Sequence, residues 1–144
     1  MPGPLDGIRV FDLARILAGP TCTQLLGDLG ADVIKIERPG AGDLSRSSIT
    51  DDPDGLDNPV FRSLNRNKRS IALDLRGEAG KAVVFDLAKN ADVVVENFRP
   101  DVKKRLGIDY KTLSKINPKL IYASISGFGQ DGPYANRPKP EMLA

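Results

Sequence analysis

The sequence predicts an α/β protein built on a parallel sheet with helices on both faces, and three observations carry that prediction. Short Val/Ile-rich runs recur along the chain, helical patterns separate them, and no run alternates apolar with polar residues for long. Strands that read as near-continuous apolar runs are covered on both sides, and alternation of strand with helix makes right-handed crossovers and a parallel sheet. Together these define a Rossmann-like layer. The chain has 144 residues, 40% of them hydrophobic, enough for one globular core that buries roughly two thirds of the unfolded surface.

Taken in order, Ile8 to Leu13 (IRVFDL) reads as the first strand. After Gly19-Pro20 comes a helix whose Cys22, Leu25, Leu26 and Leu29 fall at i, i+3, i+4 and i+7, so this stripe is expected in the core and Cys22 is expected to pack there. Gly30 stops it. Asp32 to Glu37 (DVIKIE) is the second strand. Pro39 to about Pro59 is rich in Gly, Asp, Ser and Pro and reads as a long irregular excursion, of the kind that tends to be functional or mobile. A third strand, Ser70 to Leu75, leads into a helix from Glu78 to Lys89 whose Ala79, Val83 and Leu87 share a face. Val93 to Asn97 is the fourth strand. Asp101 to Leu106 makes a short helix, Tyr110, Leu113 and Ile116 mark a second amphipathic turn, and Leu120 to Ile125 is the fifth strand.

Composition removes several functions. Net charge is +2 with 28% charged residues, which leaves no whole-domain footprint for nucleic acid. There is no histidine and a single cysteine, so zinc sites, Ser-His-Asp triads and Cys-His pairs cannot be assembled from this chain, and no metal is expected. One thiol, no secretory leader and no long apolar span predict a reducing, soluble, cytoplasmic setting without membrane contact. A dinucleotide would ask for G-x-G-x-x-G in the first strand-to-helix turn, and that turn, Arg15 to Pro20, holds one glycine. Gly40-Ala-Gly42-Asp-Leu-Ser45 lacks a helical continuation and reads as a loop.

The strand ends share a feature. VFDLAR closes at Arg15, VIKIER at Arg38, IALDLR at Arg76 and VVVENFR at Arg99. In a parallel sheet these ends lie on one edge, where open α/β folds bind ligands, so up to four guanidinium groups can face one site. The planar guanidinium fork suits phosphate, since it makes two parallel charge-assisted hydrogen bonds. Each arginine also follows an acid, Asp12, Glu37, Asp74 or Glu96, and the rival expectation is simple pairing of acid with arginine. Arg62, Arg66, Lys68 and Arg69 are expected to form a solvated loop, with long-range attraction of an acidic ligand as the alternative.

Four blocks then match a known pattern. LDGIRVFDLARILAGPTCTQLLGDLGADVIKIERPGAGD, NRNKRSIALDLR, ADVVVENFRPDVKKRLG and NPKLIYASISGFGQDGPYA together resemble the N-terminal part of the family III coenzyme A transferases, over residues 4 to 138. The resemblance implies a Rossmann-like large domain, a smaller second domain and two interlocked subunits. It makes residues 1–144 the N-terminal portion of the large domain, with the C-terminal part and the small domain absent. Family members move coenzyme A (CoA) between carboxylic acids, and a sister branch racemises 2-methylacyl thioesters. Carried over by position, CoA contacts fall on Leu17 and Ala18, on Arg38, on Leu73, Asp74, Leu75 and Arg76, and on Asn97, Phe98, Arg99 and Arg105. Arg15 is not among the carried positions.

The implied mechanism is stepwise. A carboxylate attacks the donor thioester to give a mixed anhydride, the CoA thiolate returns to form an enzyme thioester, and the acceptor acid takes it over. The family's nucleophilic aspartate falls beyond residue 144, so the chain is expected to be inactive alone, with no catalytic residue of its own; Asp12, Glu96 and Glu141 are not nominated. Leu17 stands where some transferases carry glutamine, which argues against an oxalate or formate substrate. The rivals are the racemase branch and a ligand-binding module without chemistry.

Overall fold

The computed structural model describes residues 2–47, 58–135 and 137. The middle of the 39–59 excursion and the tail, including Lys139 and Glu141, lie outside the described residues. Five strands, β1 (Arg9–Asp12), β2 (Asp32–Glu37), β3 (Lys68–Ala72), β4 (Val93–Glu96) and β5 (Ile121–Ser124), form one wholly parallel sheet in the order β3-β2-β1-β4-β5. The helices are α1 (Ala18–Asp28), α2 (Pro59–Leu64), α3 (Glu78–Asn90), α4 (Pro100–Leu106) and α5 (Tyr110–Ile116), with a 3-10 turn at Leu44–Arg46.

The chain builds outward from β1 in one direction through β2 to β3, then returns to place β4 and β5 on its other side. Right-handed crossovers therefore put the two sets of helices on opposite faces. On one face Val10, Val33 and Val95 meet Leu26 of α1. On the other, Phe11, Ile36 and Val94 pack with Val84 and Ala88 of α3, Ile108 and Leu113. The reversal of direction between β1 and β4 opens a crevice beyond their carboxyl ends, where ligands bind in this class of sheet.

Several sequence expectations shift. Of the stripe Cys22, Leu25, Leu26 and Leu29, only Leu26 packs on the core: Thr23, Gln24 and Gly27 are buried, while Leu25 and Leu29 are exposed and Cys22 is half-buried. Two contacts turn the helix this way. A Cβ on Gly27 would sit 3.3 Å from the Asn67 carbonyl oxygen and 3.5 Å from Val33, so glycine allows the close approach. Thr23 Oγ1 donates to the buried Asp12 carboxylate at 2.6 Å, a bond no leucine could supply. In α3 the buried positions are Val84 and Ala88, rotated from the expected Ala79, Val83 and Leu87. Here Gly80 sets the rotation, because its backbone lies so near the Asp74 carbonyl that an added Cβ would stand 2.0 Å from that oxygen.

The strand β3 begins two residues earlier than expected and ends at Ala72, since Asp74 folds back to accept the Arg76 N–H at 3.1 Å. The basic stretch before it is not a solvated loop. Asn58 caps α2 by accepting from the Val60 and Phe61 N–H groups, with Pro59 in the first turn. Lys68 pairs with Asp12, Arg66 with Asp28 and Arg69 with Asp32.

Candidate functional site

The carboxyl edge of the sheet is held from behind by buried ions. Lys35 points from β2 into the α1 face, where its Nζ lies 2.9 Å from Asp43 and donates to the Ala14 carbonyl at 3.0 Å, with both side chains 1% exposed. Lys68 Nζ donates to Asp12 at 3.0 Å and to the Pro20 carbonyl at 2.9 Å. Burial pulls the Lys68 ammonium below its ordinary value, and Asp12 opposes that pull. On the other face Lys103 of α4 donates to the fully buried Glu96 at 2.8 Å, and to Ser124 and Gln130. The second oxygen of Glu96 accepts the Phe98 N–H at 2.7 Å, which fixes the exit from β4.

Glu37, at the end of β2, is likewise occupied. Burial works against its charge, but hydrogen bonds from Arg46, Ser70 and the Asp43 N–H override that and hold the carboxyl at about 2. Arg46 makes the bidentate contact, at 2.7 and 2.8 Å.

The expected pairing of each acid with its own arginine therefore fails at three of four strand ends. Asp12, Glu37 and Glu96 are bound to Lys68, Arg46 and Lys103. Only Asp74 pairs with Arg76, at an exposed 3.1 Å contact. Arg99 lies 3.6 Å from Asp101. Among the described residues no carboxylate pairs with Arg15, Arg38 or Arg105.

Arg15, Arg38, Arg76 and Arg105 line one groove of about 420 Å³ at the carboxyl edge. Its apolar floor comes from Leu13, Ile36, Phe98 and Val102, and its rim from Leu73, Asp74 and Leu75. Phe98 serves two purposes: it belongs to the apolar core and presents one face to the groove, with the Arg15 guanidinium 4.9 Å above the ring. A neighbouring groove of about 180 Å³ shares Phe98 and adds Asn97, Arg99, Pro100, Gly127 and Phe128.

Of the eleven positions carried over from the resemblance, seven meet in the first groove: Arg38, Leu73, Asp74, Leu75, Arg76, Phe98 and Arg105. Asn97 and Arg99 lie in the second. Leu17 and Ala18, at the start of α1, line neither. Arg15 is brought into the groove although the resemblance passed over it, in accord with the strand-end pattern. The buried lysines and Asp43 escaped sequence reasoning. Lys35 alternates with apolar residues in DVIKIE and reads as an outward position; nothing local signals that α1 and the 39–47 turn cover it.

This fold and this edge define a class, a doubly wound α/β layer that presents an arginine-lined groove at its switch point. The chain belongs to CoA-transferase family III, whose model matches residues 5–144. Among curated proteins it is 52% identical over 134 residues to the formyl-CoA:oxalate CoA-transferase of Rhodopseudomonas palustris, covering 93% of this chain and 31% of that protein. It is 46% identical over 142 residues to an acyl-CoA transferase of Fusarium pseudograminearum, with 94% and 31% covered. The chain thus spans about a third of the length of the curated relatives it matches. A crystal structure of a CaiB/BaiF family protein from Brucella suis superposes with a TM-score of 0.88 at 50% identity, over 95% of this chain and 37% of that one. A hypothetical protein from Mycobacterium tuberculosis gives 0.85 at 41%, with 96% and 36% covered. Among the described residues no helix is long and apolar enough to cross a membrane.

Proposed function

We propose that this chain binds the nucleotide portion of an acyl-CoA and serves in transfer of CoA between carboxylic acids. The observation that carries the reading is the convergence of Arg15, Arg38, Arg76 and Arg105 on one groove at the carboxyl edge of the sheet, with Arg15 over the Phe98 ring. The Arg15, Arg38 and Arg105 guanidinium groups, without carboxylate partners among the described residues, and Arg76, held only by an exposed contact to Asp74, suit phosphate oxygens, and an aromatic face suits a base. In this reading Arg38, Arg76 and Arg105 contact phosphates, the Leu73 to Leu75 rim and Phe98 contact the adenosine, and Asn97 and Arg99 shape the adjoining wall. Leu17 and Ala18 border the thioester end. Tight gripping of the nucleotide supplies remote binding energy that can be used at the reacting centre.

The described residues bind and do not attack. Asp12 and Glu96, the fully buried carboxylates of the strand ends, are each bound to a lysine and to a neutral donor, and neither stands open to a thioester. In this reading the nucleophilic aspartate of the mechanism lies outside the described residues, which are taken as the N-terminal portion of a large domain. We also place the protein in an interlocked homodimer in the cytoplasm. The outward Leu25 and Leu29 of α1 and the exposed Ile121 on edge strand β5 offer apolar surface for such an assembly.

For the acyl pair, Leu17 offers no hydrogen bond to a second carboxylate, which favours an acid other than oxalate or formate. Turnover of formyl-CoA with oxalate, followed by chromatography of the CoA esters, would overturn that choice in favour of the activity named for the bacterial relatives. The racemase branch is tested by loss of stereochemical purity in a 2-methylacyl-CoA. The main reading is tested by titration calorimetry with acetyl-CoA on the unaltered chain, Arg38→Ala and Arg99→Ala. We expect Arg38→Ala to weaken binding by about tenfold and Arg99→Ala by less; equal affinity in all three would end it.

A further inference from the structure

The turn that joins β1 to α1 is held in a conformation its residues do not favour. Ile16 has φ 69°, in the left-handed region that a β-branched side chain seldom enters. Two side chains from distant parts of the chain hold it there. Asn97, just past β4, accepts the Arg15 N–H at 2.9 Å and returns its own amide N–H to the Arg15 carbonyl at 2.8 Å. Both of its amide functions are thus bound to Arg15. Asp43 accepts the Ile16 N–H at 3.2 and 3.3 Å, and is itself fixed by the buried Lys35 at 2.9 Å.

The side chain placed by this clamp is Arg15. Its guanidinium is half-buried, lies 4.9 Å above the Phe98 ring and shares the groove with Arg38. Burial, and then the Arg38 charge, pull it below the usual arginine value, and Asp43 only partly offsets this. Two like charges in one groove, one of them partly out of water, repel each other, and a dianion between them would relieve that repulsion. Arg76 and Arg105 are exposed by contrast and more fully screened by solvent. A cation backed by an aromatic ring presents the edge of its fork outward, the direction in which it grips phosphoryl oxygens bidentately.

We propose that Arg15 grips a phosphoryl group of CoA together with Arg38, and that Asn97 and Asp43 are positioning residues that hold it for that contact. The inference rests on the CoA reading given above. It is tested by titration calorimetry of the full chain with CoA, dephospho-CoA and pantetheine at low and high salt, for the unaltered protein, Arg15→Gln, Asn97→Asp and the double variant. Circular dichroism and thermal unfolding check that each variant is folded. Arg15→Gln should weaken CoA about tenfold or more, flatten its dependence on salt, and leave pantetheine unaffected. If dephospho-CoA loses as much as CoA, the gripped group is in the diphosphate; if it loses little, the group is the 3′-phosphate; either supports the proposal. Asn97→Asp keeps an acceptor for the Arg15 N–H and removes the donor to its carbonyl, and is the milder variant should Asn97→Ala not fold. At high salt, where repulsion between the new carboxylate and the ligand is screened, its loss should not add to that of Arg15→Gln in the double variant, because it acts through the same guanidinium. Additive losses would overturn the positioning role. Unchanged CoA affinity in Arg15→Gln, or an equal loss with pantetheine, would overturn the Arg15 contact alone. A chain that binds none of the three probes would overturn the CoA reading itself.

Discussion

The two faces of the sheet are packed by different means. Beneath α3, α4 and α5 the interior is mainly apolar, with one buried ion pair, Lys103–Glu96, at the carboxyl edge: Phe11, Ile36, Val84, Ala88, Val94, Ile108 and Leu113 exclude water by fit and volume. Beneath α1 the apolar set is smaller, and toward the carboxyl edge it gives way to the Lys68–Asp12 and Lys35–Asp43 pairs. Removing two charges from water costs about as much as their attraction returns, so buried pairs are weak evidence of stability. Their partners indicate what they do instead. Lys35 binds the Ala14 carbonyl and Asp43 the Ile16 N–H, main-chain groups of the turn that borders the arginine groove, and Lys68 binds the Pro20 carbonyl in the first turn of α1 that follows it. The apolar face holds the layer together, and the ionic face sets where one of its edge loops stands.

That contrast can be broken in order of expected effect. Lys68→Met should destabilise most, by about 3 to 5 kcal/mol in urea unfolding, because it strands the fully buried Asp12 carboxylate without its counter-charge. Adding Asp12→Leu should restore most of that loss, whereas a single-variant cost below about 1 kcal/mol would contradict this account of the α1 face. Ile108→Ala, on the apolar face, should cost about 2 to 5 kcal/mol through the cavity it leaves while CoA affinity in the folded protein stays unchanged. Gly80→Ala should cost about 1 to 3 kcal/mol as its Cβ displaces the Asp74 carbonyl, and it should also weaken CoA by moving the Leu73 to Arg76 rim without touching the groove; stability loss with intact affinity would separate the two.

A smaller effect is read from pH. The Glu37 carboxyl ordinarily titrates near 4.5 and is held at about 2 here, so the stability it contributes is present above its ordinary value and is lost as pH falls through about 2. Ser70→Ala removes a 2.6 Å hydrogen bond to Glu37 and should shift the acid unfolding limb to higher pH; an unmoved limb would mean that this carboxyl does not govern it. Least affected should be Arg76→Ala, whose exposed bond to Asp74 contributes little to folding. Its thermal midpoint should match the unaltered chain even as CoA binding weakens.

Much of the fold was legible because strand and helix periods are local. The expected Asp32 to Glu37 strand coincides with β2, and the apolar run at Val93 is β4 with its end one residue shorter. The helix α2 was missed at six residues, although Asn58 before Pro59 is the kind of capping signal that could have marked it. The inward faces of α1 and α3 were misjudged for a different reason. α3 carries more than one apolar stripe and α1 turns small and polar residues inward, and in both the choice was made by contacts distant in sequence, Thr23 with Asp12 and Gly80 with Asp74.

From sequence alone came the parallel layer, the edge on which its strand ends gather, and the arginines that follow them, because hydrophobic periodicity and chain direction are properties of neighbouring residues. Tertiary structure decided which acids those arginines would not meet. Lys35, Lys68 and Lys103 reach their carboxylates across 8, 56 and 7 positions of the chain, and with Asp43, Asp12 and Glu96 occupied by them and Glu37 occupied by Arg46, Arg15 and Arg38 are left facing the groove. Which charge neutralises which is settled by distance and burial in the folded state, and neither is written in the spacing of the residues.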